Sequence, residues 1–375
     1  MNGITANLSQ DLRISNKTEG YVLMELINFF EQAIKDNASD IFIVAGRAIS
    51  YMTGGNIISI GEKLLPDDTK NVIEEIYNLA QRDINLFLKA RDDDFSFSIS
   101  SLGRFRVNTF MQRGSMAAVL RIVVFELPDP KTIGIPDEIM NISGMTKGLV
   151  LVTGPAGSGK STTLACLIDK INKNRESHII TLEDPLEYLH RHDKSIVSQR
   201  EIHMDTESYA RGLRAALREA PNVILLGEMR DYETISIAMS AAETGQLIFS
   251  TLHTLGAANT VDRIIDVFPP AQQQQVRVQL SMVLKAVICQ QLIPTSDGKM
   301  TPVFEVMFCN NAIRTMIRDS KVHQIDSTIH SYANQGMISM DTSIYNLYKN
   351  KKITLENAVL HSLNQDSMKK KLGIN

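Results

Sequence analysis

Apolar residues change their spacing several times along the chain, and each change marks a different kind of element. From Tyr21 to Lys35 they fall at Val22, Leu26, Phe29, Phe30 and Ala33, the spacing of one helix face. Asp40 to Ala45 predicts a buried strand. Ile49 to Thr53 and Asn56 to Ile60 flank Gly54-Gly55, whose tolerance of positive φ suits a hairpin turn. Asp67 to Ala80 returns to helical spacing. From Asp94 to Val124 the period becomes two: Phe95, Phe97 and Ile99 alternate with polar residues, Leu102-Gly103 turns, and Phe105, Val107 and Thr109 alternate again. This predicts a β-meander. Residues 1–126 therefore read as a small α+β domain that begins with a polar, patternless stretch, Met1 to Gly20.

Two prolines in Leu127-Pro128-Asp129-Pro130, with Gly134-Ile135-Pro136 behind them, mark residues 127–136 as an extended linker. Beyond it, in residues 137–375, apolar strands (Leu149 to Thr153, His178 to Leu182, Val223 to Leu226, Leu247 to Thr251) alternate with helical segments (Ser161 to Asn172, Tyr209 to Glu219, Thr234 to Ala242). That alternation predicts a parallel sheet with crossover helices, an α/β fold. After Phe268 the pattern is mostly helical, with a strand-like pair at Ala286 to Leu292 and Pro302 to Phe308.

Composition narrows the function classes. The 375 residues are 43% apolar and 22% charged, and no run is long and apolar enough for a membrane span. No secretory leader is read after Met1. Cys166, Cys289 and Cys309 are widely spaced in apolar contexts, so they read as reduced core thiols rather than a zinc module. A net charge of −3 argues against a large nucleic-acid footprint. The basic run Lys369 to Lys371 reads as a solvated tail.

Gly154-Pro155-Ala156-Gly157-Ser158-Gly159-Lys160-Ser161, followed by Thr162, has the G-x-x-x-x-G-K-[ST] pattern between an apolar strand and a helix. In that setting backbone N–H groups converge on the phosphates of ATP, the helix points its positive end at them, Lys160 reaches the β and γ oxygens, and Ser161 ligates Mg²⁺. A carboxylate is needed nearby to hold the magnesium shell or polarise water. Glu228, after the strand Val223 to Leu226, is one candidate, and Glu183-Asp184-Pro185-Leu186-Glu187, after the strand His178 to Leu182, supplies others. Either Glu187 or Glu228 fits a general base. The competing reading of Asp184 to Glu187 is a helix start, with Asp184 as N-cap and Pro185 in the first turn.

His253, beyond a further strand end, reads as a γ-phosphate sensor, against the alternative of a structural histidine. Arg104 and Arg106, two apart on one strand, share a face, and Arg121 lies on the next strand. With no evident arginine beside the phosphates in cis, these three are candidates for fingers supplied in trans by a neighbouring subunit.

Together these residues resemble the secretion ATPase superfamily of bacterial type IV pili and type II and IV secretion. Its four landmarks read here as GPAGSGKST, EDPLEYLH, GEMRD and TLHT, with further likeness at Ala38-Ser39-Asp40, LGRFRVN (Leu102 to Asn108) and VDRIIDVFPP (Val261 to Pro270). Ala312 to Asp319 (AIRTMIRD) is similar to the C-terminal motif of the pilus-retraction branch. From pattern alone the same octet is an amphipathic helix, with Ile313, Met316 and Ile317 at core spacing and Arg314 and Arg318 on the other face.

The resemblance implies a PAS-like N-terminal domain and a RecA-like P-loop domain with a helical C-terminal extension. It implies a homohexameric motor ATPase that drives pilus retraction from the cytoplasmic face of the cell membrane, working on an inner-membrane platform protein without inserting into the bilayer. It also makes Glu187 the water-activating base, Glu228 the second acid and metal residue, and Arg263 an arginine near the nucleotide. Where the family has T-G-H, this chain has Gln246; Arg47 to Gly55 lacks the family's usual pattern; Thr315 and Asp319 replace Asn and Glu. A pilus-assembly or secretion ATPase, or a regulatory module that holds nucleotide without turnover, are the alternatives.

Overall fold

The computed structural model describes residues 19–99, 102–123 and 127–374, with side chains from residue 24. The polar stretch up to residue 18, residues 100–101, the end of the meander at residues 124–126 and residue 375 lie outside it. The chain divides into two compact units, Met1–Phe125 and Glu126–Asn375.

In the first unit the helix α1 (Glu19–Lys35) is followed by β1 (Asp40–Ile43), β2 (Ile49–Thr53), β3 (Asn56–Ile60), α2 (Pro66–Leu79), α3 (Asn85–Ala90), β4 (Asp92–Ile99), β5 (Gly103–Gln112) and β6 (Ser115–Val123). The strands form one antiparallel sheet in the order β3-β2-β1-β6-β5-β4. Gly54 and Gly55 turn the first hairpin at φ 55° and 80°. Period two decides which side of the sheet is dry: Phe95, Phe97, Phe105, Val107 and Leu120 pack against Leu26 and Phe30 of α1 and Ile73 and Ile76 of α2. Phe30 and Phe105 have ring centroids 4.6 Å apart. The opposite face carries the arginines. The sequence pattern did not reveal α3, whose six residues bury Phe87 alone.

The second unit opens with α4 (Asp137–Met140), β7 (Gly148–Thr153), α5 (Lys160–Asn174), β8 (His178–Glu183) and β9 (Ile196–Glu201). Next come α6 (Tyr209–Ala216), β10 (Val223–Leu226), α7 (Tyr232–Glu243), β11 (Leu247–Leu252), α8 (Ala257–Asp266) and α9 (Pro270–Val283). It closes with β12 (Leu284–Pro294), β13 (Met300–Phe308), α10 (Asn311–Arg318), α11 (Ile325–Ser331), α12 (Met340–Lys349), α13 (Leu355–Leu360) and α14 (Gln365–Leu372). The sheet order is β13-β12-β7-β11-β10-β8-β9, parallel except for β13, which returns antiparallel to β12.

β7 shows why this strand is apolar throughout. Leu149 and Leu151 face one core, with α7, α8 and α9, while Val150 and Val152 face the other, with Leu164, Leu167 and Ile168 of α5. The linker is not a loose tether: Ile135 is buried in the α5 core, Ile133 packs beside it, and the Cys166 thiol donates to the Pro128 carbonyl at 3.7 Å. β9 escaped the sequence reading because it is an edge strand, with exposed Ile196, buried Val197 and then half-buried Ser198, Gln199 and Arg200 instead of an apolar run. All three cysteines are reduced and buried.

Candidate functional site

Parallel strands in register end together, and four of them end on candidate residues. Leu252 of β11 pairs with Thr153 of β7, Ser250 of β11 pairs with Leu226 of β10, and Leu226 pairs with Leu182 of β8. The residues immediately beyond are His253, Gly154, Gly227-Glu228 and Glu183. Together they border a cavity of about 560 Å³ lined by Ala156 to Thr162, Glu183 to Pro185, Glu187, Tyr188, Glu228, Arg230 and His253 among others. This is the crevice beyond the carboxyl ends of a parallel sheet, where such folds bind ligands.

The loop from Gly154 to Gly159 bends tightly over the start of α5. Gly154 has φ 143°, and a Cβ there would stand 2.1 Å from the Gln290 carbonyl oxygen. A Cβ on Gly159 would meet the Gln290 side-chain amide at 2.9 Å. Gln290, 3% exposed on β12, also accepts a hydrogen bond from Thr163 Oγ1 at 2.8 Å. It is the floor on which the phosphate loop rests, and sequence reasoning missed it because nothing marks one glutamine in an apolar strand.

Lys160 Nζ donates to the carbonyls of Gly154 at 2.9 Å and Pro155 at 2.8 Å. An ammonium has three donors, so one remains for a phosphate oxygen. Burial pulls the Lys160 pKa down, while the carboxylates of Glu187 and Glu228 oppose that fall. Ser161 and Thr162 line the cavity from the first turn of α5, where Thr162 Oγ1 lies 2.9 Å from Tyr188 Oη.

No helix follows Asp184, so the capping alternative is set aside; Pro185 to His190 is an irregular segment along the cavity. Gln199 of β9 pins it: its Nε2 donates to the Tyr188 carbonyl at 2.9 Å and its Oε1 accepts from His190 N at 2.7 Å. Glu187 thus immediately precedes the two residues that Gln199 pins. Burial pushes the Glu183 carboxyl up to about 7, with the charges of Glu187 and Glu201 adding to the effect and the nearby side chains of Thr181 and Gln199 opposing it. Burial also pushes His190 down to about 4.

Glu228 Oε2 lies 3.3 Å from His253 Nε2 and 2.6 Å from Arg230 Nε. Arg230 corrects the sequence reading that found no arginine beside the phosphates in cis: one lines the cavity, tied to Glu228. Thr251 Oγ1 donates to the Gly227 carbonyl at 2.5 Å and fixes the turn that presents Glu228.

Other candidates lie elsewhere. Arg104, Arg106 and Arg121 belong to the first unit, on β5 and β6. Arg106 and Arg121 are direct cross-strand partners, and each is answered by an acid, Asp94 at 2.7 Å and Asp40 at 3.1 Å. Arg263 is on the exposed side of α8, outside the cavity lining, with no ion-pair partner among the described residues. Gln246 sits at the opposite end of β11 from His253, roughly 20 Å away at strand rise, and accepts from Thr244 Oγ1 at 2.8 Å. In α10, Ile313 and Ile317 are fully buried and Met316 packs beside them. The two arginines do not share one solvated face as the pattern suggested: Arg318 is exposed and pairs with Asp319 at 3.1 Å, whereas Arg314 has its Nε buried and stands beside Cys309 and Lys285.

Among the described residues no cluster of three or more His, Cys, Asp or Glu side chains has the arrangement of a protein-only metal site. Ser161 and Glu228 do meet in one cavity. A hydroxyl, a carboxylate and substrate phosphates are the oxygen donors that suit Mg²⁺, which keeps waters and rarely takes an all-protein cage. Among the described residues no helix is long and apolar enough to cross a membrane.

Residues 16–371 match the family model described as Type II/IV secretion system protein. The type IV pilus retraction ATPase PilT of Pseudomonas aeruginosa is 41% identical over 339 residues, 89% of this chain and 97% of that protein. A twitching motility protein of Neisseria gonorrhoeae is 44% identical over 303 residues, 80% of each chain. A crystal structure of the pilus retraction motor PilT with bound ADP superposes with a TM-score of 0.82 at 43% identity, covering 92% of this chain and 98% of that one.

Proposed function

Because the chain belongs to the Type II/IV secretion system protein family, a family of ATP-hydrolysing P-loop enzymes, we propose that it is a motor ATPase that drives type IV pilus retraction. One observation carries the reading: Lys160, Glu187, Glu228 and His253, from four separate segments, line one cavity beyond the ends of adjacent parallel strands. The retraction task is supported by the likeness to PilT across nearly its whole length.

In this reading the backbone N–H groups of Ala156 to Ser161 and the start of α5 hold the phosphates of ATP, and Lys160 gives its remaining donor to a phosphate oxygen. Ser161 Oγ and the Glu228 carboxylate would hold Mg²⁺, which, when bound, neutralises charge on the phosphate oxygens. Glu187 takes the proton of the attacking water. His253, steadied by Glu228, reports the γ-phosphate. Arg104, Arg106 and Arg121 complete the site from a neighbouring subunit of a homohexamer, and Arg263 comes near the nucleotide.

Hydrolysis and release change the angle between residues 1–126 and 137–375, and the ring transmits that change to a membrane-embedded platform protein. Packing of Pro128, Ile133 and Ile135 on the second unit means a hinge in 127–136 works at its first residues unless those contacts break. The nucleotide-holding regulatory alternative loses its motivation, since Gln246 is remote from the cavity.

Phosphate release by the purified protein tests the chemistry. Wild type turns over ATP, and Lys160→Ala and Glu187→Gln do not, while both keep the wild-type circular dichroism spectrum. Wild-type turnover in Glu187→Gln overturns the assignment of the base.

A further inference from the structure

Glu305 on β13 is 2% exposed and has no ion-pair partner among the described residues. A carboxylate so deep is stable only where hydrogen bonds replace its water. Both of its oxygens are occupied by backbone donors: Oε1 accepts from Ala257 N at 2.7 Å and Oε2 from Met340 N at 3.2 Å. Ala257 is the first residue of α8 and Met340 the first of α12. One carboxylate therefore serves two helix N-termini, where unpaired N–H groups and the helix dipole favour negative charge. α8 has no capping side chain and no acid in its first turn. Glu305 supplies from another strand what the helix's own sequence lacks.

These two helices lead to different places. α8 starts four residues after His253. α12 belongs to the C-terminal helices and is fastened to β13, where Ser343 Oγ donates to the Phe304 carbonyl at 2.6 Å and Val306 bridges Ile338. From Glu305 the sheet runs straight to the phosphate loop. Glu305 pairs with Cys289, Cys289 with Thr153, and Thr153 with Leu252. Thr153 Oγ1 also donates to Cys289 Sγ at 3.1 Å. The row crosses four strands; Thr153 precedes Gly154, and Leu252 precedes His253.

We infer that Glu305 is a positioning residue that holds the start of α8, and through it His253, in register with the phosphate loop, and that passes a change at the nucleotide to α12. It touches neither nucleotide nor the attacking water. The inference rests on ATP being turned over in the cavity, which Lys160→Ala tests separately.

Two variants approach it from opposite sides. Glu305→Gln keeps the shape but turns an NH₂ group toward one of the two backbone donors. Ala257→Pro deletes a donor instead; it is the first helical position, which tolerates proline, and Gly256 has ψ 136°, which suits the residue before one. The measurements, on the full-length protein, are steady-state ATP hydrolysis, affinity for ADP, and amide hydrogen exchange with and without ADP. We expect kcat to fall on the order of tenfold while ADP affinity stays within about twofold. ADP slows exchange in the first turn of α12 in the wild type, and in both variants that response is lost. A variant that is merely less stable, with wild-type kcat and an intact response in α12, overturns the inference. So does a wild-type protein in which ADP leaves α12 unchanged.

Discussion

Glu228 shares Oε2 between His253 Nε2 at 3.3 Å and Arg230 Nε at 2.6 Å, so the carboxylate after β10 and the histidine after β11 form one unit at the sheet edge. If His253 meets the γ-phosphate, its contact matters more in the transition state than in the ground state. His253→Ala should then lower kcat on the order of 10²-fold, the cost of one lost stabilising donor, with ADP affinity near wild type. Equal losses in ADP affinity and kcat would make it a binding residue instead.

Arg106 stands opposite Arg121, and two like charges directly across a sheet repel unless something answers them. Asp94 and Asp40 do so here, and a γ-phosphate would attract the same guanidinium groups more strongly. Arg106→Ala and Arg121→Ala should each reduce ATP turnover by about 10³-fold if they act as fingers. Mixing the Arg106→Ala, Arg121→Ala double variant with Lys160→Ala subunits tests whether they act across subunits. Recovered activity in the mixture supports sites shared between chains; no recovery places the deficit within one chain, and wild-type turnover in the double variant leaves the finger's role to Arg230.

Burial holds the Glu183 carboxyl at about 7 in the folded chain, above its ordinary value of 4.5. The folded state therefore keeps a proton that the unfolded chain has released, and between those two values stability falls as pH rises. Above about 7 both states are ionised and the penalty is constant, at most about 3 kcal/mol. Glu183→Gln carries no such penalty. Without nucleotide, its Tm should approach wild type near pH 4 and exceed it at pH 8; a Tm difference independent of pH would contradict the assignment.

α10 separates packing from function along one helix. Ile317 is fully buried, and Ile317→Ala should cost about 2–5 kcal/mol of stability by leaving a cavity. Arg318 is exposed and, among the described residues, its side chain pairs only with its neighbour Asp319 at 3.1 Å, so Arg318→Ala should change stability by less than about 0.5 kcal/mol. If this helix serves retraction, Arg318→Ala also keeps ATP turnover and loses twitching. Denaturant melts, phosphate release and a motility plate give the three readings.

What could be read from the sequence follows from how each feature is encoded. Strand β7 and the loop after it are visible because an apolar run and a glycine-rich turn are local patterns, and β2 and β3 because two glycines separate them. Edge strand β9 was hidden by its half-buried polar residues, although its Gln199 clamps the segment carrying Glu187. Gln290 and Glu305 act through partners 127 and 48 residues away in sequence, and no local period records that. Arg230 was overlooked because its role depends on a side-chain contact with Glu228 rather than on spacing.

If this chain is a retraction motor, ATP turned over at Lys160 withdraws pili. The direct measurement is a count of surface pili on cells in which the gene is deleted and then restored as wild type or as Lys160→Ala. A retraction motor leaves excess pili and lost twitching in the deletion, with rescue by the wild-type gene and no rescue by Lys160→Ala. Bald cells after deletion, or full rescue by Lys160→Ala, would contradict it.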